Sequence, residues 1–73
     1  MITIELRYSL IHFNDLDEKL SNLVISLNGT VANSGAGFGY RDMEIDFLSK
    51  IDLNEFLARI QNLRHLISIN ILL

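Results

Sequence analysis

The feature that most constrains the fold of this chain is the order in which its hydrophobic periodicity changes. Apolar residues alternate over 2–9, recur at helical spacing over 14–29, alternate again over 40–48, return to helical spacing over 51–63 and alternate over 65–73. Alternation is typical of a half-buried strand, and a period near 3.6 residues is typical of an amphipathic helix. With a further short strand in the glycine-rich segment before residue 40, the predicted order is strand, helix, strand, strand, helix, strand.

The first strand and helix each place their apolar residues on one side. The inner face of the strand has Ile2, Ile4, Leu6 and Tyr8, and the helix stripe has Leu16, Leu20, Leu23, Val24 and Leu27. Asn14 or Asp15 is suited to cap the start of the helix, and Asp15 with Glu18 has capping-box spacing. Asn28-Gly29 predicts its end, with the glycine in the left-handed conformation.

The second half begins with "TVANSGAG", whose weak apolar character and glycines predict a short or edge strand. Asp52 and Glu55 have capping-box spacing at the start of the second helix, and Ile51 with Phe56 fits a hydrophobic staple. The inner faces of the remaining elements are formed by Met43, Ile45 and Phe47, then Leu53, Phe56, Leu57, Ile60 and Leu63, then Ile67, Ile69, Ile71 and Leu73.

This order predicts an α+β fold in which two helices cover one face of a four-stranded antiparallel sheet. Over the whole chain it resembles the ferredoxin-like βαββαβ fold, and that resemblance implies the strand order 4-1-3-2. The segment 52–73, a helix, a turn and an isoleucine-rich strand, resembles the end of an ACT domain. ACT domains bind amino acids near a Pro-Gly pair, whereas this chain has "IHFND" there and no proline. No ligand-binding residue is therefore transferred.

Size and charge exclude several classes of protein. The 73 residues predict one domain over 1–73, with a thin core and no cysteine to staple it. A net charge of −3, with acids on the open face of the sheet, argues against nucleic-acid binding. No apolar stretch approaches the roughly 20 residues that span a membrane. We expect a cytoplasmic protein without cofactor or metal.

The segment "SGAGFGYRD" is a candidate ligand or partner loop formed by Gly35, Gly37, Gly39, Arg41 and Asp42. It does not match a phosphate-binding loop, which ends in Gly-Lys-Ser/Thr or runs into a helix. The favoured interpretation is a tight corner between two strands, with at least one of Gly37 and Gly39 at positive φ. Contact with a ligand or partner is the alternative.

The remaining polar candidates are two histidines and the acids of the third strand. His12 and His65 are expected near one end of the sheet, as loop residues rather than as a metal or general-base site. Asp42, Glu44 and Asp46 alternate along one strand, and acids spaced this way are poor sole ligands for a cation. Arg7 on the neighbouring strand is the expected partner for these acids.

Two functions remain open. The first is a small self-associating module, a homodimer or higher oligomer, in which the uncharged final strand forms the interface. Its predicted interface residues are Ile69, Ile71, Leu72 and Leu73. The alternative, implied by the ACT resemblance, is a regulatory domain that binds a small ligand such as an amino acid at a subunit interface. An enzyme ranks third because no nucleophile–base pair is visible.

Overall fold

The computed structural model describes residues 1–72 and has the predicted element order. The elements are β1 Ile2–Ser9, α1 Phe13–Ser26, β2 Thr30–Gly37, β3 Tyr40–Phe47, α2 Lys50–Arg59 and β4 Ile67–Leu72. Short 3₁₀ turns at Leu10–His12 and Gln61–Leu63 follow β1 and α2. The sheet is antiparallel throughout with the order β2-β3-β1-β4, which confirms the ferredoxin-like arrangement.

The core lies between the two helices and one face of the sheet. Phe47 of β3 and Phe56 of α2 meet there with ring centroids 5.2 Å apart. Burying each such side chain stabilises the fold by about 1.5–3 kcal/mol. Most of the predicted inner-face residues of β1, β3 and the two helices are buried, and the buried set is Ile4, Leu6, Tyr8, Leu16, Leu20, Val24, Met43, Ile45, Phe47, Leu53, Phe56, Ile60 and Ile67. The other predicted members of these faces are partly buried against this core, namely Ile2, Leu23, Leu27, Leu57 and Leu63. On β4 the prediction is wrong for Ile71, which is 50% exposed.

The start of α1 differs from the prediction. The helix begins at Phe13, and its N-cap His12 makes no side-chain capping bond, so capping by Asn14 or Asp15 is wrong. The 3₁₀ turn before it feeds directly into the helix, and the Phe13 N–H donates to the Leu10 carbonyl. Backbone carbonyls of the preceding turn therefore accept some of the hydrogen bonds of the first helical N–H groups.

The start of α2 also differs. Ser49 is the N-cap, and its Oγ accepts a hydrogen bond from the Asp52 N–H at 3.2 Å. Asp52 is therefore the third helical residue and not the cap. The predicted staple is wrong as well, because Ile51 is 79% exposed while Phe56 is fully buried. The serine was overlooked because Asp52 shows the same spacing signal one turn later in the sequence.

The end of α1 is stopped where predicted, but the roles of the two residues are exchanged. Asn28 has φ 62, whereas Gly29 has no positive φ. The Gly29 N–H donates to the Val24 carbonyl and the Asn28 N–H to the Ile25 carbonyl, the bonds of a Schellman motif. Glycine is required for space, since a Cβ at residue 29 would lie 2.8 Å from the Val24 Cγ1.

Candidate functional site

The predicted loop is a two-residue hairpin turn between β2 and β3. Gly37 pairs with Tyr40, and between them Phe38 has φ 54 and Gly39 φ 83. Positive φ at both central residues is the requirement of a type I′ turn. The prediction for the glycines is confirmed at Gly39, while Gly37 belongs to the strand. Phe38 is fully exposed, and a bulky residue at positive φ is rare.

The sheet separates the predicted loop residues onto two faces. Asp42 lies opposite Gly35 on the open face, away from the helices, whereas Arg41 lies opposite Ala36 and points toward α1. Arg41 and Asp42 therefore do not form one site. On the open face Gly35 and Gly37 line a shallow groove of about 370 Å³ together with Arg7, Ala36, Phe38, Tyr40 and Asp42.

Arg41 belongs to a sheltered cluster on the helix side. Its Nε donates to the Asp17 Oδ1 at 2.8 Å, and the Tyr8 hydroxyl donates to the same oxygen at 2.8 Å. The guanidinium lies 5.4 Å from the centre of the Phe13 ring. Burial, with the bond to Asp17, raises the pKa of Tyr8 well above its ordinary value, and the bond to Asp17 raises the pKa of Arg41. The cluster joins β1, β3 and α1 and is structural.

Arg7 lies on the open face and carries the predicted ion pair. Its Nε donates to the Asp42 Oδ1 at 2.8 Å, and its guanidinium lies 5.9 Å from the centre of the Tyr40 ring. The hydrogen bond to Asp42 raises the pKa of Arg7. Its two terminal NH₂ groups make no hydrogen bond within residues 1–72. These two NH₂ groups therefore face solvent, and together they can donate a bidentate pair of hydrogen bonds.

The remaining acids of the open face form no cation site. Glu5 lies directly opposite Glu44, a like-charge pair that is unfavourable across strands. Asp46 accepts a hydrogen bond from the Thr3 hydroxyl at 2.6 Å. In the described part of the chain no group of three or more histidine and acidic side chains could hold a metal ion.

The two histidines lie together, as predicted, at the hairpin end of the sheet. They line a depression of about 430 Å³, which we call the histidine basin. The Leu10 N–H donates to the Gly39 carbonyl at 2.9 Å and ties the 3₁₀ turn to the hairpin at this end. The basin is lined by Arg7, Tyr8, Ser9, His12, Tyr40, His65, Leu66, Ile67 and Ser68.

The predicted interface residues lie on the outer strand of the sheet. Ile71 is 50% exposed, while Ile69 and Leu72 are partly buried. Leu73 lies outside the described residues. Within 1–72, β4 pairs only with β1, so its other edge has no strand beside it.

Sequence reasoning missed three functional or structural side chains. Asp17 was overlooked although it precedes Leu20 by one turn and so borders the apolar stripe of α1. The hydroxyl of Tyr8 was hidden by its place in the apolar alternation. Phe38 gave no signal, because Asn or Asp before glycine, and not Phe, is the usual mark of a type I′ turn.

Comparison of the chain with protein-family models, curated proteins and solved structures gives no match. No helix among residues 1–72 is long and apolar enough to cross a membrane.

Proposed function

We propose that the protein is a small self-association module that pairs with a second copy through the outer edge of β4. The observation that carries the proposal is the unprotected edge itself. No charged residue occurs from Leu66 to Leu72. Ile71, the next-to-last residue of β4, is half-exposed. An edge without charge, proline or bulge is a template for pairing with another chain.

The opposite edge of the sheet supports this choice by contrast. The pairing of β2 with β3 shifts register between Val31 and Asn33, a bulge-like irregularity that bends an edge away from partners. The Asn33 Oδ1 also accepts a hydrogen bond from the Ser34 N–H at 3.0 Å. Of the two edges, β2 has features that discourage pairing, and β4 has none of them.

The apolar surface continues beyond the strand. Leu72 pairs with Thr3, so Met1, which is 83% exposed, extends from the same end of the sheet. A specific interface buries at least about 1,000 Å² in total, or about 500 Å² from each copy. That is roughly a tenth of the 4716 Å² surface of this chain. Antiparallel pairing of two β4 strands would join two sheets into one by a twofold axis.

The test is the mass in solution over a wide concentration range, by sedimentation equilibrium or light scattering. The wild-type chain should exceed its monomer mass of 8.3 kDa and dissociate on dilution. Ile71→Lys should place a charge on the edge and shift the mass to the monomer at concentrations where the wild type is associated.

Ile25→Lys is the matched control. Ile25 is 65% exposed on α1, a helix that packs mainly over β2 at the other edge of the sheet. Ile25→Lys adds the same charge away from the proposed interface, so it should leave the mass in solution unchanged. A wild-type monomer at every concentration, or equal effects of the two lysines, would contradict the proposal.

A further inference from the structure

The histidine basin differs in charge from the rest of this acidic protein. Its lining includes Arg7, His12 and His65, together with Ser9 and Ser68. No aspartate or glutamate is among the lining residues of the described chain. The acid next to the basin is Asp42, and it is already bonded to the Arg7 Nε, so the basin offers an anion the remaining donors of Arg7 rather than an unpaired charge.

Arg7 is the residue that can fix such an anion. Asp42 engages only its Nε, so both terminal NH₂ groups remain available on the outer side of the guanidinium. Those two groups are parallel donors with the spacing that a carboxylate accepts in a bidentate pair. Asp42 holds the guanidinium from the other side, which limits the side-chain freedom that binding has to remove.

The walls of the basin are suited to an apolar or aromatic body. The Tyr40 ring, half-exposed, lies against the Arg7 guanidinium, and Leu66 and Ile67 form another part of the lining. The basin is an open surface depression of about 430 Å³ whose exposed lining is mostly apolar. A flat group beside Tyr40 would gain stacking as well as apolar contact.

From this arrangement we infer that the histidine basin binds a small organic carboxylate with an aromatic or apolar body. The carboxylate pairs with the terminal NH₂ groups of Arg7, and the body lies against Tyr40 and Leu66. The site goes beyond self-association and does not depend on it. It also differs from an amino-acid site, because the ammonium of a free amino acid would find no carboxylate in the lining.

The experiment is a titration of the full chain with 3-phenylpropionate, followed by ¹H–¹⁵N correlation spectra and calorimetry. We expect saturable binding, with shifts concentrated at residues 7–12, 40 and 65–68. The uncharged 3-phenylpropanamide and inorganic phosphate should each bind about tenfold more weakly or worse, because one lacks the charge and the other the apolar body.

Arg7→Gln should weaken binding of 3-phenylpropionate by about tenfold or more. Arg59→Gln is the matched control, because Arg59 has the same 2.8 Å Nε contact with an exposed acid, Glu55, but lies outside the basin. Tyr40→Leu should also reduce the affinity for 3-phenylpropionate. Outside the basin, the spectra of Arg7→Gln and Tyr40→Leu should match the spectrum of the wild type.

Four results would overturn the inference. They are the absence of saturable binding, equal affinity for the acid and its amide, equal loss in Arg7→Gln and Arg59→Gln, and equal affinity for bare phosphate. Binding of phenylalanine as tight as that of 3-phenylpropionate would also overturn the stated ligand class, in favour of amino acids.

Discussion

Two arginines of this molecule make the same bond on opposite faces of one sheet. Arg41 and Arg7 each place Nε 2.8 Å from an aspartate Oδ1. The side chains of Arg41 and Asp17 are 18% and 23% exposed, whereas those of Arg7 and Asp42 are 53% and 41% exposed. The two ion pairs therefore have the same Nε–Oδ1 distance but differ in their exposure to solvent. Exposure to solvent determines how much an ion pair contributes to stability. The sheltered pair links two strands and a helix, and the open pair leaves the terminal NH₂ groups of Arg7 exposed to solvent.

Removing Asp17 should give the largest effect. Asp17→Ala removes the acceptor of the Tyr8 hydroxyl and of the Arg41 Nε, both in partly buried bonds. Arg41 then keeps only the longer 3.4 Å bond from its terminal NH₂ group to the Gly35 carbonyl. We expect a loss of about 2–3 kcal/mol in the free energy of unfolding, measured by urea denaturation. Glu18→Ala, at an exposed position of the same helix, should change it by less than about 0.5 kcal/mol. Equal stability of the two variants would show that the sheltered cluster is not structural.

Tyr8→Phe tests one bond of the same cluster and should cost about 0.5–1.5 kcal/mol at neutral pH. Its pKa is raised in the folded chain, so above about pH 10 the unfolded chain loses a proton that the folded chain keeps. The unfolding free energy of the wild type should therefore fall as pH rises above about 10. The unfolding free energy of Tyr8→Phe should fall less steeply with pH than that of the wild type. Parallel curves for Tyr8→Phe and the wild type would contradict the assignment.

Removing the open pair should have the smallest effect on stability. Asp42→Asn leaves Arg7 exposed to water, so we expect a melting temperature indistinguishable from that of the wild type. Differential scanning calorimetry at low and at high salt checks this expectation. A destabilisation comparable to that of Asp17→Ala would mean that exposure does not distinguish the two pairs.

The same two arginines show what the sequence can predict. Alternation along a strand assigns each residue to a face, so the partnership of Arg7 with an acid of β3 followed from strand order alone. The same alternation puts Arg41 on the face of Met43, which is the helix side, but it does not reveal the partner of Arg41. Asp17 reaches Arg41 only when α1 has one particular rotation and one particular height above the sheet. Packing of the whole core sets both.

Helix ends and the hairpin were predictable to different degrees. The stop at Asn28-Gly29 followed from local chemistry, yet the choice of left-handed residue depended on the space left by Val24 and Phe47. The caps were misplaced by one turn or less, because Ser49 competes with Asp52 for the same role. Phe38 could not be predicted, since nothing in local propensity favours it in that turn.

The sheet order has a consequence for the path by which the chain folds. β2 and β3 meet across a two-residue turn, whereas the β1–β4 ladder joins Thr3 to Leu72. Closing so long a loop costs about 3 kcal/mol more in conformational free energy than closing the hairpin. β4 is therefore expected to dock last, onto the edge of a strand at the centre of the finished sheet. Until it docks, β1 offers that edge to the β4 of any neighbouring copy, which is a direct route to exchange of strands between chains.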